Sequence, residues 1–280
     1  MSETFGNWIG RRVVREDIVT PRLVAEYRAT LSPYLFESQD PGICPPGFHW
    51  TLAPAMPMSA NTSHDGSERK GDFLPPIPLP RRMWAGGAVE TLGPIRVGMA
   101  IRRTSTVADI KYREGRTGQL YVVSVRHDIE ADGQLAVVER QDLVIRDGAP
   151  KAVSVASPPP PPEGRTWTVD ATPLLLFRFS AFTFNGHRIH YDANYAAEEG
   201  YPGLVVHGPM QAALMLNMAA VCVGHVPERF DYRCVAPLFS GHEFIVTADH
   251  AAPQPSVRVI RHDGVITAEA QAHAPGTGSA

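Results

Sequence analysis

Cysteine is scarce in this chain, and neither sign of charge dominates. Its 280 residues include three cysteines, Cys44, Cys222 and Cys234, an odd number. They show neither Cys-x-x-Cys nor metal-ligand spacing, which argues against a disulfide framework and points to free, buried thiols in a reducing, cytoplasmic compartment. Lys and Arg number 26 against 29 Asp and Glu, a formal charge of -3. That balance disfavours a general nucleic-acid binder and obliges a polyanionic ligand to find a local basic patch. Long apolar runs are missing too. The N-terminal "MSETFGNWIGRR" has no hydrophobic segment of a signal peptide, and the longest apolar stretch, 210–223, is shorter than the ~20 residues that cross a bilayer. No membrane partner is expected.

Proline, by contrast, is abundant, with 26 in all. The run "SPPPPPEGR", 157–165, favours extended polyproline II and cannot sit in a helix or a central strand. It divides the chain into an N-terminal domain, 1–156, and a C-terminal domain, 166–280. Three features repeat in order across the divide: "TPRLVAEYRAT" and "TPLLLFRFSAFT"; Pro94 and Gly98 against Pro237 and Gly241, each ahead of a strand-like run; and the Asp132-Gly133 and Asp263-Gly264 turns between alternating apolar segments. Asp-Gly between such segments is a hairpin signal, because both positions tolerate positive φ. In the second half, "HGPMQAALMLNMAAVCVGH" reads as a helix with Pro209 in its first turn, Gly224 at its end and only Gln211 and Asn217 interrupting an apolar surface. A helix buried on most sides and followed by antiparallel strands implies a curved sheet wrapped around it. Two such halves predict an α+β double hot dog whose first-half helix, best sought in "PPGFHWTLAPAM" from Pro45, is short or degraded.

The stretch "FTFNGHRIHYD" holds Asn185, His190 and Asp192. Each has a plain structural reading: Asn185 as a turn residue, His190 as a buried structural histidine, Asp192 as the cap of "ANYAAEEGY" or the orienter of a base. His187, His190 and Asp192 lack a further ligand at a telling spacing, so no metal is expected.

The longer segment "FSAFTFNGHRIHYDANYAAEEGYPGLVVHGPM" resembles the hydratase signature of the MaoC-like dehydratases. "DFLPPIPLPRRMWAGG", from Asp72, is similar to the N-terminal domain of the hydroxyacyl-thioester dehydratase type 2 group. The common signature, Asp-Xaa-Asn-Pro-Xaa-His, is here Asn185-Gly-His-Arg-Ile-His190. An amide cannot take up a proton usefully, so the resemblance implies His190 as general base with Asn185 orienting the water. Gly208, at the start of the apolar helix, would direct backbone N–H and the helix dipole at a thioester oxyanion, with room for the acyl group.

The resemblance further implies Trp84 and His207 at the substrate, Arg82 or Arg188 (with Arg178 a third choice) as partners for a substrate carboxylate, and Arg81, Arg102 and Arg103 as the hold on coenzyme A phosphates. Taken by itself, the basic stretch 81–116 reads equally well as a solvated strand face. No resident cofactor is expected, since coenzyme A belongs to the substrate. The expected activity is reversible hydration of an acyl-CoA such as itaconyl-CoA or mesaconyl-CoA to citramalyl-CoA, in a homodimer or larger homo-oligomer. Alternatives are an (R)-specific enoyl-CoA hydratase or 3-hydroxyacyl-thioester dehydratase of fatty-acid metabolism, or a non-catalytic thioester-binding subunit.

Overall fold

Each Thr-Pro pair opens a helix. Thr20 Oγ1 accepts the N–H of Leu23 at the start of α1 (Pro21–Leu31), and Thr172 Oγ1 that of Leu175 at the start of α2 (Pro173–Phe182), with proline in the first turn of both. The threonine satisfies a donor that the helix leaves free, and proline has none to lose. The chain is seen in a computed structural model that describes residues 5–115, 118–148, 164–249 and 254–273.

The first half contributes β1 (Arg12–Ile18), β2 (Arg81–Thr91), β3 (Ala100–Gly115), β4 (Gly118–Ala131) and β5 (Gln134–Arg146). The second contributes β6 (Arg165–Asp170), β7 (Arg229–Cys234), β8 (Glu243–Ala248), β9 (Ser256–Arg261) and β10 (Ile266–His273). All pair antiparallel in one sheet of ten strands, ordered β1-β3-β4-β5-β2-β7-β10-β9-β8-β6. Read from its two edges inward, the sheet repeats: β1, β3, β4, β5, β2 correspond to β6, β8, β9, β10, β7. The halves meet where β2 pairs with β7, from Gly86 opposite Arg233 to Glu90 opposite Arg229. This is the double hot dog that the internal repeats predict.

Asp132 and Gly133 both have positive φ, 48° and 78°, in the tight β4–β5 turn. The β9–β10 connection is wider: Gly264 alone is left-handed, and the Asp263 carboxylate instead accepts from Val265 N. Of the proline run only Gly164 and Arg165 fall among the described residues, and β6 begins at Arg165.

The second half wraps α4 (Gly208–Val223), in which every residue from Met210 to Ala220 is buried. Each fully buried Leu or Met side chain contributes about 2 kcal/mol of hydrophobic stabilisation. The two polar intruders are satisfied. Gln211 Oε1 accepts from Thr267, and Asn217 donates to Pro46 O and Ala213 O while accepting from Phe36 N, which ties α4 to the first half.

The expected first-half helix is not formed. Residues 45–56 contain a single 3-10 turn, Phe48–Thr51, because the flanking prolines have no N–H with which to continue it. Phe48, Trp50 and Leu52 are still buried. A turn fills less space than a four-turn helix, and a cavity of about 930 Å³ lies against the inner face of the first-half strands. Cys44 is buried, Cys222 and Cys234 are half-buried, and all three are free thiols. Among the described residues no helix is long and apolar enough to cross a membrane.

Candidate active site

The segment between α2 and the short α3 (Ala193–Glu198) lines this cavity. After α2 the chain is turned by Phe184, at φ 52°, and Asn185 N donates to Ser180 O. The Asn185 carbonyl oxygen accepts the His187 N–H at 3.0 Å, a local turn that leaves the amide NH2 as the side chain's free group. His190 sits in the 3-10 turn Arg188–His190. Its Nδ1 is 2.7 Å from Val205 O. A carbonyl can only accept, so Nδ1 carries the proton and Nε2 the lone pair. Burial, and next the neighbouring His187, push the imidazole down to about 3, so it is neutral near pH 7.

His207 fixes the plane of that ring. It stacks on His190 with centroids 3.7 Å apart and 19° between planes, and its Nε2 is held by Ser180 Oγ at 2.8 Å. It also precedes Gly208, the first residue of α4, whose N–H has no carbonyl four residues back to bond. The space beside Gly208 belongs to Trp84, not to an acyl group: a Cβ there would lie 3.1 Å from Trp84 Cβ. Trp84 stands at a bulge in β2 and packs with Trp50 and Tyr232.

His187, His190 and Asp192 diverge. Asp192 caps α3 through Tyr195 N and pairs with Arg188, His190 bonds Val205 O, and His187 faces Asp65 at 3.8 Å. Arg188 turns outward, pairing with Asp192 at 2.8 Å and stacking on Tyr195, away from the cavity. Arg178 is exposed beside Ala29 O, outside the cavity.

Arg82 lies within the cavity and its guanidinium, among the described residues, makes no hydrogen bond or direct ion pair. Burial pulls its pKa down, against the charges of Asp65 and Glu68. The basic stretch does not form one patch. Arg102 projects from the other face of the sheet to Glu16, because neighbours on a strand alternate, while Arg103 points inward. Arg103 donates to His127 Nδ1 and Leu52 O, with the buried Glu139 at 3.9 Å. Arg81 pairs with Glu199 at 3.1 Å.

Three cavity residues escape a reading of the sequence. Arg146 stands opposite Arg81 in the β2–β5 register, a proximity that only strand pairing creates. Asp65 arrives on a hairpin of the first half, bridged at Thr62 and Glu68, and Arg15 arrives on β1 to pair with Glu68. The polar insertion "SHDGSERK", which has no counterpart in the second half, is the available signal for Asp65.

Residues 47–240 match the hydroxyacyl-thioester dehydratase type 2 family. The chain is 43% identical over 237 residues to mesaconyl-C(4)-CoA hydratase of Chloroflexus aurantiacus, covering 83% of this chain and 84% of that one. It is 27% identical to the mitochondrial hydroxyacyl-thioester dehydratase type 2 of Schizosaccharomyces pombe, covering 81% and 87%. Its fold matches that of HtdX of Mycobacterium tuberculosis with a TM-score of 0.67 at 19% identity, over 93% of this chain and 98% of that one. The chain therefore belongs to the hydroxyacyl-thioester dehydratase type 2 family of MaoC-like enzymes, and is a hydratase/dehydratase of acyl thioesters.

Proposed function

We propose that the enzyme adds water reversibly to the CoA thioester of a branched C5 dicarboxylic acid, with mesaconyl-C(4)-CoA the preferred substrate and citramalyl-CoA the product. The observation that carries this reading is Arg82: a desolvated guanidinium in the cavity, beside the catalytic segment, whose donors no described residue takes up. A planar fork of N–H groups suits a carboxylate through two parallel hydrogen bonds. The identity to a hydratase of such a thioester points the same way.

In hydration His190 Nε2 takes a proton from water as the oxygen bonds to the β-carbon, and the Asn185 amide orients that water. The C=C electron pair moves toward the thioester carbonyl, whose oxygen gains charge facing the first-turn N–H groups of α4 at Gly208. His207 and Trp84 hold the base and the helix start in place. Arg81, with Arg146 opposite it, is the hold for coenzyme A phosphates. We further propose a homodimer, and a reducing, cytoplasmic compartment that three free thiols suit.

Kinetics on matched substrates test the substrate. Wild-type enzyme should turn over mesaconyl-C(4)-CoA, whose double bond is conjugated to the thioester, with kcat/KM at least ~100-fold above crotonyl-CoA, and Arg82→Met should erase most of that preference while sparing crotonyl-CoA. A better rate on crotonyl-CoA or a longer enoyl-CoA would replace this reading with that of a fatty-acyl dehydratase.

A further inference from the structure

The catalytic segment has lost its carboxylate, yet the cavity holds one next to it. Among the described residues, three acids line the cavity: Asp65, Glu68 and Glu199. Glu68 is paired with Arg15 and Glu199 with Arg81. Asp65 alone faces the motif. One oxygen accepts from Ser67 N and Oγ, and the other stands 3.8 Å from His187 Nε2. His187 in turn lies edge-on to His190, ring centroids 5.5 Å apart, and lines the same cavity.

This placement is built into the backbone. Arg188 N donates to Asp65 O at 2.8 Å, and Gly66, at φ +83°, meets Gly186 so closely that a Cβ on Gly66 would fall 2.0 Å from Gly186 O. Only glycine fits that contact. A hairpin of the first half is thus locked onto the motif of the second.

We propose that His187 is the acid of the reaction, giving its proton to the α-carbon while His190 takes one from water, and that Asp65 is the positioning residue that orients His187 and stabilises its charged form. This rests on hydration at His190 and on a substrate carboxylate at Arg82. The proton balance closes: water loses H⁺ to His190 and its oxygen bonds the β-carbon, the C=C pair becomes the α-carbon–hydrogen bond as His187 releases H⁺, and the proton on His190 returns to His187 through cavity water. One water is consumed and no net proton.

The charged groups facing His187 are Asp65, which favours its charged form, and Arg82, which opposes it, while the neutral His190 ring lies edge-on beside it. In the unliganded protein burial holds the imidazole at about 4, with Asp65 pulling it up and Arg82 pushing it down. A carboxylate docking on Arg82 cancels that push. Loading of an anionic substrate therefore shifts His187 toward its charged form, against a burial that is the larger influence, and a neutral enoyl-thioester does not.

The test uses the full-length enzyme, with kcat and KM for mesaconyl-C(4)-CoA measured from pH 5 to 9. Asp65→Asn, which keeps the oxygen that accepts from Ser67, should lower kcat ~10–100-fold with KM within about twofold. Its alkaline limb should move to lower pH, because the imidazolium has lost its partner. Asp65→Glu should recover part of the rate. His187→Gln, which leaves the backbone bonds of the hairpin intact, should lower kcat similarly and abolish the alkaline limb. If Asp65→Asn unfolds, His187→Gln decides. Wild-type kcat and an unmoved limb in either folded variant, with His190→Ala inactive, would overturn the acid assignment and leave the base; an active His190→Ala would overturn the reading beneath it.

Discussion

At the scale of the residue, the site turns on one neutral imidazole. His190 is held by a carbonyl at Nδ1 and by the His207 ring on its face, so its Nε2 lone pair is available without a deprotonation step. His190→Ala should lower kcat by ~100-fold or more, the usual worth of a positioned base, with the fold checked by circular dichroism; normal turnover would remove His190 from the mechanism. Asn185→Asp should keep part of the activity, since it recreates the carboxylate of the common signature. These two positions are legible because they share one contiguous motif. Arg188 fails as a carboxylate partner for a reason that spacing exposes: Asp192 lies four residues on, where opposite charges pair on their own. Asp65 is illegible. It is more than a hundred residues from His187 in the chain, and only the docking of the two halves joins them.

At the scale of the element, α4 is readable from its apolar run and its terminal Pro and Gly, and the β4–β5 hairpin from Asp-Gly. The missing first-half helix is half readable. The prolines forbid a long helix, but nothing local states that Trp50 will pack against Tyr232 of β7 or that Leu52 will be buried. The contact between Trp84 of β2 and Gly208 of α4 is not legible either, being between elements of different halves. It carries a prediction. Gly208→Ala places a Cβ within 3.1–3.2 Å of Trp84, so the tryptophan or the helix start must give way. Stability should fall by about 1–3 kcal/mol, as overpacking costs, and kcat/KM by ~10-fold or more as the helix N-terminus moves. Thermal melting and steady-state kinetics check the two effects separately, and a variant matching wild type in both would contradict the contact.

At the scale of the whole molecule, a duplicated sheet carries one complete helix and one emptied position, and the cavity lies against the strands of the half whose helix is missing. Three buried or half-buried histidines, His127, His187 and His190, line the cavity, and His207 stacks on one of them. Burial holds His49 and His190 at about 3, His187 at about 4, and His127 and His207 well below the ordinary value. Because their folded pKa values are depressed, the unfolded chain binds protons below about pH 6.5 that the folded chain refuses. Their contribution is whole above that pH and is lost as pH falls, by up to about 1.4 kcal/mol per pH unit per histidine. Urea denaturation should show several kcal/mol less stability at pH 5 than at pH 7.5; equal stability would mean that these rings are protonated in the fold. The duplicated architecture is legible from three weak repeats in order, whereas the cavity is not, because it is defined by what the first half leaves unfilled.

The most direct test of the account is the reaction itself, followed by mass spectrometry of mesaconyl-C(4)-CoA incubated with the enzyme in H₂¹⁸O. The predicted product is an intact thioester heavier by one water, with ¹⁸O on the β-carbon, formed by wild type and lost in His190→Ala. Free coenzyme A with no hydrated thioester, or hydration that His190→Ala leaves unchanged, would contradict it.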